Sequence, residues 1–209
     1  MKLYDNKTAP NPRRVRIFLA EKGIELPTVP IDLRKGEQFT PEFRAINPEC
    51  TVPVLEFDDG RRIGEVVAIC TYFELTRPQP PLMGVDPQDQ AIVAAWQHRC
   101  EREGLWALAD AFRNSTPGLK GRALPGPDDY EQIPALAERG RSRALRFFQK
   151  LDDELASREF VAGDRYTIAD ISALVLVDFA GWIKLAIPDE CRHLRRWHGA
   201  ASARPSAAA

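Results

Sequence analysis

The chain has 209 residues, 44% of them hydrophobic and 28% charged, and its 29 basic residues nearly balance its 30 acidic ones. That length suits one or two compact domains, and the near-neutral charge provides no global field that would attract nucleic acid or an anionic membrane. No apolar run reaches the roughly 18 residues that span a bilayer, and no apolar block follows Lys2 as it would in a signal peptide.

The four cysteines show no paired spacing. This pattern predicts reduced thiols in a cytoplasmic protein and neither a disulfide framework nor a metal site. The cysteines are Cys50, Cys70, Cys100 and Cys191.

The first elements of the chain alternate between strand and helix. Three apolar residues, Val15, Phe18 and Leu19, recur at helical spacing with the aliphatic stem of Lys22, which predicts a half-buried helix between Pro12 and Gly23. Residues 26–33 have the composition of a strand, and the two prolines within them predict that this strand lies at a sheet edge.

The Val52-Pro53 pair starts the most informative stretch of the sequence. A residue before proline is driven into an extended conformation, and an X-Pro bond is the common place for a cis peptide. A cis bond here would turn the backbone of Val52 outward instead of into a sheet. The next residues predict a strand at 54–57, a hairpin turn, a strand at 61–63 and a helix whose first turn carries Glu65.

Beyond a stiff proline-rich linker at residues 77–81, the pattern is helical almost throughout. Three helices are predicted, at residues 88–114, 132–155 and 167–183, with a loop at 117–129 and a frayed tail at 200–209. The third helix is apolar nearly all round, which predicts that it is buried at the centre of a helical domain. Thr167 and Asp170 have the spacing of a capping box at its start.

These segments, in this order, resemble the cytosolic glutathione S-transferase family, especially its bacterial, theta-, beta- and nu-like members of the Ser/Cys type. The resemblance rests on residues 2–4, 9–24, 36–43, 46–69 and 160–170 and extends over nearly the whole chain. It implies an α/β, thioredoxin-like domain of order βαβαββα with a mixed four-stranded sheet at residues 1–77. A linker at 78–86 and an all-helical domain at 87–209 would follow.

The resemblance also implies a glutathione site. Val52 would pair its backbone with the cysteinyl part of glutathione, and Pro53 would be the structural cis-proline. Glu65 would bind the γ-glutamyl ammonium, and the backbone N–H of Val66 would bind the γ-glutamyl carboxylate. Two further positions would contact glutathione, and these are Gln38 and Thr51. Family members usually carry Ser or Thr where this chain has Val66, so one hydrogen bond to the carboxylate is missing.

The thiolate-stabilising group is less obvious. Alignment of the first helix places Ala9 where the family has a catalytic hydroxyl, and Asn11 where one bacterial class has Cys and another has Asn. Asn11 is therefore the best remaining donor to the glutathione sulfur, and Thr8 is the reserve candidate. Asn11 before a proline is also a good helix cap, so both roles stay open.

The second substrate would lie against the start of the long helix. A coarse helical pattern places Arg99, Arg102 and Trp106 there, and Arg102 is a possible anchor for an anionic group. A solvated arginine or an intersubunit salt bridge is the alternative for that residue.

The resemblance thus implies a cytoplasmic, homodimeric glutathione S-transferase that conjugates glutathione, its co-substrate, to small electrophiles in detoxification, without a metal. Two alternatives remain open: a non-catalytic ligand-binding or scaffold protein on this fold, which the missing hydroxyls at Ala9 and Val66 would suit, and a specialised glutathione-dependent lyase, isomerase or peroxidase.

Overall fold

The computed structural model describes residues 1–209, which divide into two compact units. The first comprises residues 1–80 with 125–128 and 209, and the second comprises residues 81–124 and 129–208.

The first unit is built on a four-stranded mixed sheet in the order β2-β1-β3-β4, so this part of the predicted fold is confirmed. The strands are β1 (Lys2–Asp5), β2 (Thr28–Pro30), β3 (Val54–Glu56) and β4 (Arg62–Ile63). β1 runs parallel to β2 and antiparallel to β3, and β3 pairs antiparallel with β4. β2 is an edge strand, as its prolines predict, but it is much shorter than residues 26–33 because proline cannot donate to a ladder.

Three helices complete this unit: α1 (Pro10–Glu21), the single-turn α2 (Pro41–Arg44) and α3 (Val66–Thr76). α1 packs against α3, and their buried faces carry fully enclosed side chains such as Phe18 and Ile69. Lys22, directly after α1, has a fully buried side chain whose Nζ lies 2.7 Å from a carboxylate oxygen of Glu74. The same Nζ donates at 2.7 Å to the carbonyl oxygens of Arg77 and Pro80 and so closes the C-terminal end of α3.

The second unit is all-helical, as predicted. Its helices are α4 (Pro87–Arg99), α5 (Trp106–Arg113), α6 (Pro134–Leu155), α7 (Ile168–Ala180) and α8 (Arg192–Ser202). Twelve of the thirteen residues of α7 are buried, which confirms its central position. No helix of the protein has both the length and the apolar character needed to cross a bilayer.

The predicted capping box at the start of α7 is present. The Asp170 carboxylate is completely buried and accepts from the backbone N–H of Thr167 (3.0 Å), the backbone N–H of Val161 (2.9 Å) and the indole N–H of Trp197 (3.0 Å). Burial raises the pKa of Asp170 to about 6, against the opposing effect of these hydrogen bonds. The network joins α7 to α8 and to the turn before α7.

The structure refines one expectation for the second unit and contradicts another. The helix predicted at residues 88–114 is interrupted by a π-helical segment, Cys100–Leu105, between α4 and α5. The tail is not frayed: α8 extends to Ser202, a 3-10 turn covers Pro205–Ala208, and Ser206 is buried. Single buried residues in the tail, such as Ser206, depend on tertiary contacts that a run of small residues does not reveal.

Candidate functional site

Val52 presents an unpaired backbone. Its peptide bond to Pro53 is cis, and its side chain belongs to the apolar cluster of Tyr4, Phe43 and Val54. β3 begins only at Val54, and neither the N–H nor the C=O of Val52 makes a hydrogen bond within the chain. A buried side chain thus anchors a residue whose backbone is free to pair with an extended peptide.

Asn47 organises the turn that leads to Val52. Its side-chain amide donates to the carbonyl of Thr51 at 2.9 Å and to the Thr51 hydroxyl at 3.1 Å, and its Oδ1 accepts from the N–H of Glu49 at 3.1 Å. Asn47 was not predicted as a site residue. The signal was available, since Asn before a proline is a turn-forming residue whose side chain bonds to nearby backbone.

The start of α3 is open. Glu65 lies at the N-cap with φ 62° and ψ 123°, a conformation that an L-residue rarely adopts, and no side chain caps the helix. The backbone N–H groups of Val66 and Val67 have no partner in the chain, and the exposed Glu65 carboxylate makes no hydrogen bond or ion pair. Strain of this kind costs about 1–3 kcal/mol and is concentrated at functional sites. The helix start therefore offers donors for an anion beside a carboxylate for a cation.

Gln38 has an unpaired hydrogen-bond acceptor, and Thr51 has an unused hydrogen-bond donor. Gln38 lies in a 3-10 turn, Glu37–Phe39, and its Oε1 is buried without a partner. The hydroxyl oxygen of Thr51 accepts from Asn47, so its own hydrogen is still available to a ligand.

The two candidate thiolate donors at the start of α1 differ in whether they have a hydrogen free to donate. The Thr8 hydroxyl donates to Oδ1 of Asn6 at 3.1 Å, which occupies its one hydrogen. Asn11 is exposed, and its Oδ1 accepts from Nη1 of Arg14 at 3.2 Å, so its amide nitrogen is free to donate. No side chain caps α1. Asn11 therefore does not act as the helix cap in this structure.

Of the residues proposed for the second substrate, Arg99 precedes the π-helical segment, Arg102 lies within it and Trp106 follows it. The Arg99 guanidinium stacks over the ring of Trp96, 4.7 Å from its centroid. Arg102 is paired with Glu103 at 2.8 Å, and Trp106 is 66% exposed. The π-helical segment changes the register between Arg99 and Trp106, so the α-helical spacing assumed from sequence does not hold.

Comparison with known proteins identifies the family. The family model described as "Glutathione S-transferase, N-terminal domain" matches residues 8–76, and "Glutathione S-transferase, C-terminal domain" matches residues 121–205. The chain is similar to Glutathione S-transferase 2 of Saccharomyces cerevisiae, with 39% identity over 209 residues that cover 99% of this chain and 87% of the yeast protein. The chain belongs to the glutathione S-transferase family.

Two further proteins are similar to this glutathione S-transferase. A solved structure of a glutathione S-transferase domain-containing protein from Marinobacter aquaeolei matches with a TM-score of 0.90 and 41% identity, over 99% of both chains. Maleylacetoacetate isomerase of Rattus norvegicus is 52% identical over 160 residues, which cover 76% of this chain and 68% of the rat protein. The predicted family, fold class and enzyme class are confirmed.

The pocket found in this glutathione S-transferase does not coincide with the candidate glutathione site. A pocket of about 410 Å³ in the first unit is lined by residues of α1, β2 and the loop between them, such as Leu19, Thr28 and Ile24, and contains none of the candidate residues. Its apolar lining follows from the packing of α1, whereas the candidate site is defined by unpaired polar groups. No group of three or more His, Cys, Asp or Glu side chains is placed to hold a metal ion.

Proposed function

We propose that this glutathione S-transferase binds glutathione along Val52 and the start of α3 and stabilises its thiolate at the start of α1. The observation that carries the proposal is the combination of a free backbone at Val52 with an open, acid-headed helix start at Glu65 and Val66. Open hydrogen-bonding groups of this kind, next to a strained residue, are typical of a ligand site.

The γ-glutamyl end of glutathione carries an ammonium and a carboxylate on one carbon. The Glu65 carboxylate suits the ammonium through a charge-assisted hydrogen bond, and the N–H of Val66 suits the carboxylate at the positive end of the α3 dipole. Gln38 and Thr51 would contact the glycyl end, where the Thr51 hydroxyl supplies a donor. Because Val66 has no hydroxyl, binding should be weaker by roughly 1.5–3 kcal/mol than with Ser at that position.

The chemical task is to hold glutathione as a thiolate. A free thiol with a pKa of about 8.5 is only a few per cent ionised at neutral pH, and lowering the pKa by about two requires roughly 2.7 kcal/mol. The amide nitrogen of Asn11 and the dipole of α1 would supply this stabilisation. The thiolate then attacks an electrophilic carbon of the second substrate, a C–S bond forms, and the leaving group departs with its electron pair.

The second substrate would lie near Arg99, Arg102 and Trp106. The exposed indole of Trp106 suits an apolar or aromatic electrophile. An anionic group on that substrate would have to compete with Glu103 for Arg102.

We also propose that the protein acts in detoxification as a cytoplasmic homodimer. Size-exclusion chromatography with light scattering would test the homodimer, and fractionation of cells would test the compartment.

Retention on immobilised glutathione, followed by calorimetry, tests the binding part of the proposal. Elution in the flow-through with no heat signal at millimolar glutathione would favour the scaffold alternative. If glutathione binds, Asn11→Ala should lose turnover far more than affinity, because the amide acts on the sulfur alone. Thr8→Val is the matched control, and a larger loss there would transfer the role to Thr8.

A second candidate function is a glutathione-dependent isomerisation, which the 52% identity to the rat maleylacetoacetate isomerase favours. The same thiolate would add to a conjugated double bond, permit rotation and then leave, so glutathione is not consumed. Turnover of maleylacetoacetate that exceeds turnover of halogenated aromatic electrophiles would favour this function over conjugation. The two functions share one glutathione site.

A further inference from the structure

Asn11 is held in one orientation by its neighbour on α1. Arg14 lies three residues further along the helix, on the same face, and its Nη1 donates to the Oδ1 of Asn11 at 3.2 Å. Arg14 is only 2% exposed, so its guanidinium is confined. Packing therefore fixes the donor that contacts the Asn11 amide.

This contact decides which end of the amide is free. An amide has an oxygen that accepts and a nitrogen that donates, and rotation by half a turn exchanges them. A guanidinium has donors only, so it can hold the oxygen and never the nitrogen. The Asn11 nitrogen is therefore directed away from Arg14. A thiolate accepts hydrogen bonds, so it is stabilised by the nitrogen and repelled by the oxygen.

Few other donors are available at the start of α1. Pro10 and Pro12 have no N–H, so among residues 10–12 only Asn11 offers a backbone donor, and that N–H makes no hydrogen bond within the chain. The hydrogen of the Thr8 hydroxyl is directed to Asn6. The orientation of the Asn11 side chain thus controls a large share of the donors that a sulfur would meet.

We propose that Arg14 is a positioning residue for thiolate formation, which it promotes by fixing the Asn11 amide with its nitrogen toward the glutathione sulfur. The inference rests on the proposed function. A desolvated positive charge close to the amide polarises it further, because screening by water is weak at a buried site. Arg14 makes no contact with glutathione in this proposal.

The test measures the pKa of the glutathione thiol when bound, from the ultraviolet absorbance of the thiolate as a function of pH. Arg14→Met should raise that pKa by about one, a tenfold loss of thiolate below the pKa, with the dissociation constant of glutathione changed less than about threefold. Arg14→Lys, which keeps a charged donor, should restore most of the thiolate. Arg13→Met is the control, since it removes a charge from the same helix turn without a contact to Asn11 and should leave the pKa unchanged.

The double variant Asn11→Ala with Arg14→Met separates positioning from a general effect of charge. If Arg14 acts through Asn11, its replacement should change the thiol pKa little when Asn11 is already Ala. An equal change in both backgrounds would overturn the inference, as would an Arg14→Met protein that folds and keeps the wild-type pKa.

Other outcomes are also decisive. If Arg14→Met does not fold, Arg14→Gln carries the same prediction, because an uncharged amide can accept as well as donate and so no longer holds the Asn11 oxygen in preference to its nitrogen. A wild-type protein that does not bind glutathione would overturn the proposed function and this inference together. If the wild-type protein binds glutathione, and the thiol pKa responds to Asn11→Ala but to neither neutral Arg14 variant, this inference alone is overturned.

Discussion

α7 begins with a closed network of hydrogen bonds, whereas α3 begins with its donors and its acidic residue unpaired. At α7 the Asp170 carboxylate is buried and three N–H groups donate to it. At α3 the Glu65 carboxylate is exposed and has no partner, and its backbone is in a strained conformation. The same residue type, an acid at a helix start, thus stabilises the fold in one place and leaves a ligand site open in the other.

Replacing Asp170 should have the largest effect on stability. Asp170→Ala leaves the buried N–H groups of Thr167, Val161 and Trp197 without acceptors, at about 1–3 kcal/mol each. The free energy of unfolding in urea should fall by about 3–6 kcal/mol. Glu65→Ala is the contrasting variant and should change it by less than about 0.5 kcal/mol, because nothing in the fold depends on that carboxylate. Equal losses would remove the distinction between the two helix starts.

α3 shows the same contrast between its own ends, since its C-terminal end is closed by Lys22. Lys22→Met should destabilise the first unit by about 3 kcal/mol, because Glu74 and the carbonyls of Arg77 and Pro80 lose a buried donor. Lys35→Met is the control, since its ion pair with Asp32 is exposed. Comparable changes in the two variants, measured by urea unfolding, would show that the buried lysine contributes no more than an exposed one.

Local side-chain chemistry made parts of both helix starts predictable. The spacing of Thr167 and Asp170 was sufficient to identify the capping box. The acid Glu65 after Val52-Pro53 identified the start of α3, although it lies at the N-cap and not in the first turn. Each signal lies within a few residues of the feature it predicts. The roles assigned to Glu65, Val52 and Asn11 stay predictions until a ligand is measured.

Features that depend on tertiary packing could not be predicted. The π-helical segment contains Gly104, where a Cβ would lie 2.9 Å from a side-chain carbon of Leu176 and 3.0 Å from one of Phe147. That close approach involves residues far away in sequence. Likewise, Arg14 and Asn47 acquire their importance from the orientation of their side chains, which a sequence pattern does not give.

The pH dependence of stability tests the closed network in a second way. The pKa of Asp170 is raised to about 6 from an ordinary value of 3.8, so between these values the folded protein keeps a proton that the unfolded chain has lost. The contribution of this group is therefore full below about pH 4 and declines as the pH rises through 6. From about pH 4.5 to about pH 7 the loss should be about 2 kcal/mol.

Asp170→Asn provides the reference for that measurement, because an amide does not titrate in this range. The difference in unfolding free energy between wild type and variant should shift by the same 2 kcal/mol in favour of the variant as the pH rises. Other carboxylates cancel in the difference, such as Glu56, whose pKa is lowered to about 2, chiefly by Arg62. A difference independent of pH would mean that Asp170 ionises at the same pH in the folded and unfolded states.

The smallest change in stability, and the most informative about function, is expected at Glu65. Glu65→Gly should increase the free energy of unfolding by about 1 kcal/mol, because glycine adopts the positive φ without strain. It should also weaken glutathione binding by about ten- to a hundredfold, because the charge-assisted bond to the ammonium is lost. Glu65→Gln separates the two effects, since it keeps the strain and removes the charge, and should lose affinity without gaining stability. A stabilised Gly variant with unchanged affinity would mean that the strain at Glu65 serves something other than glutathione binding.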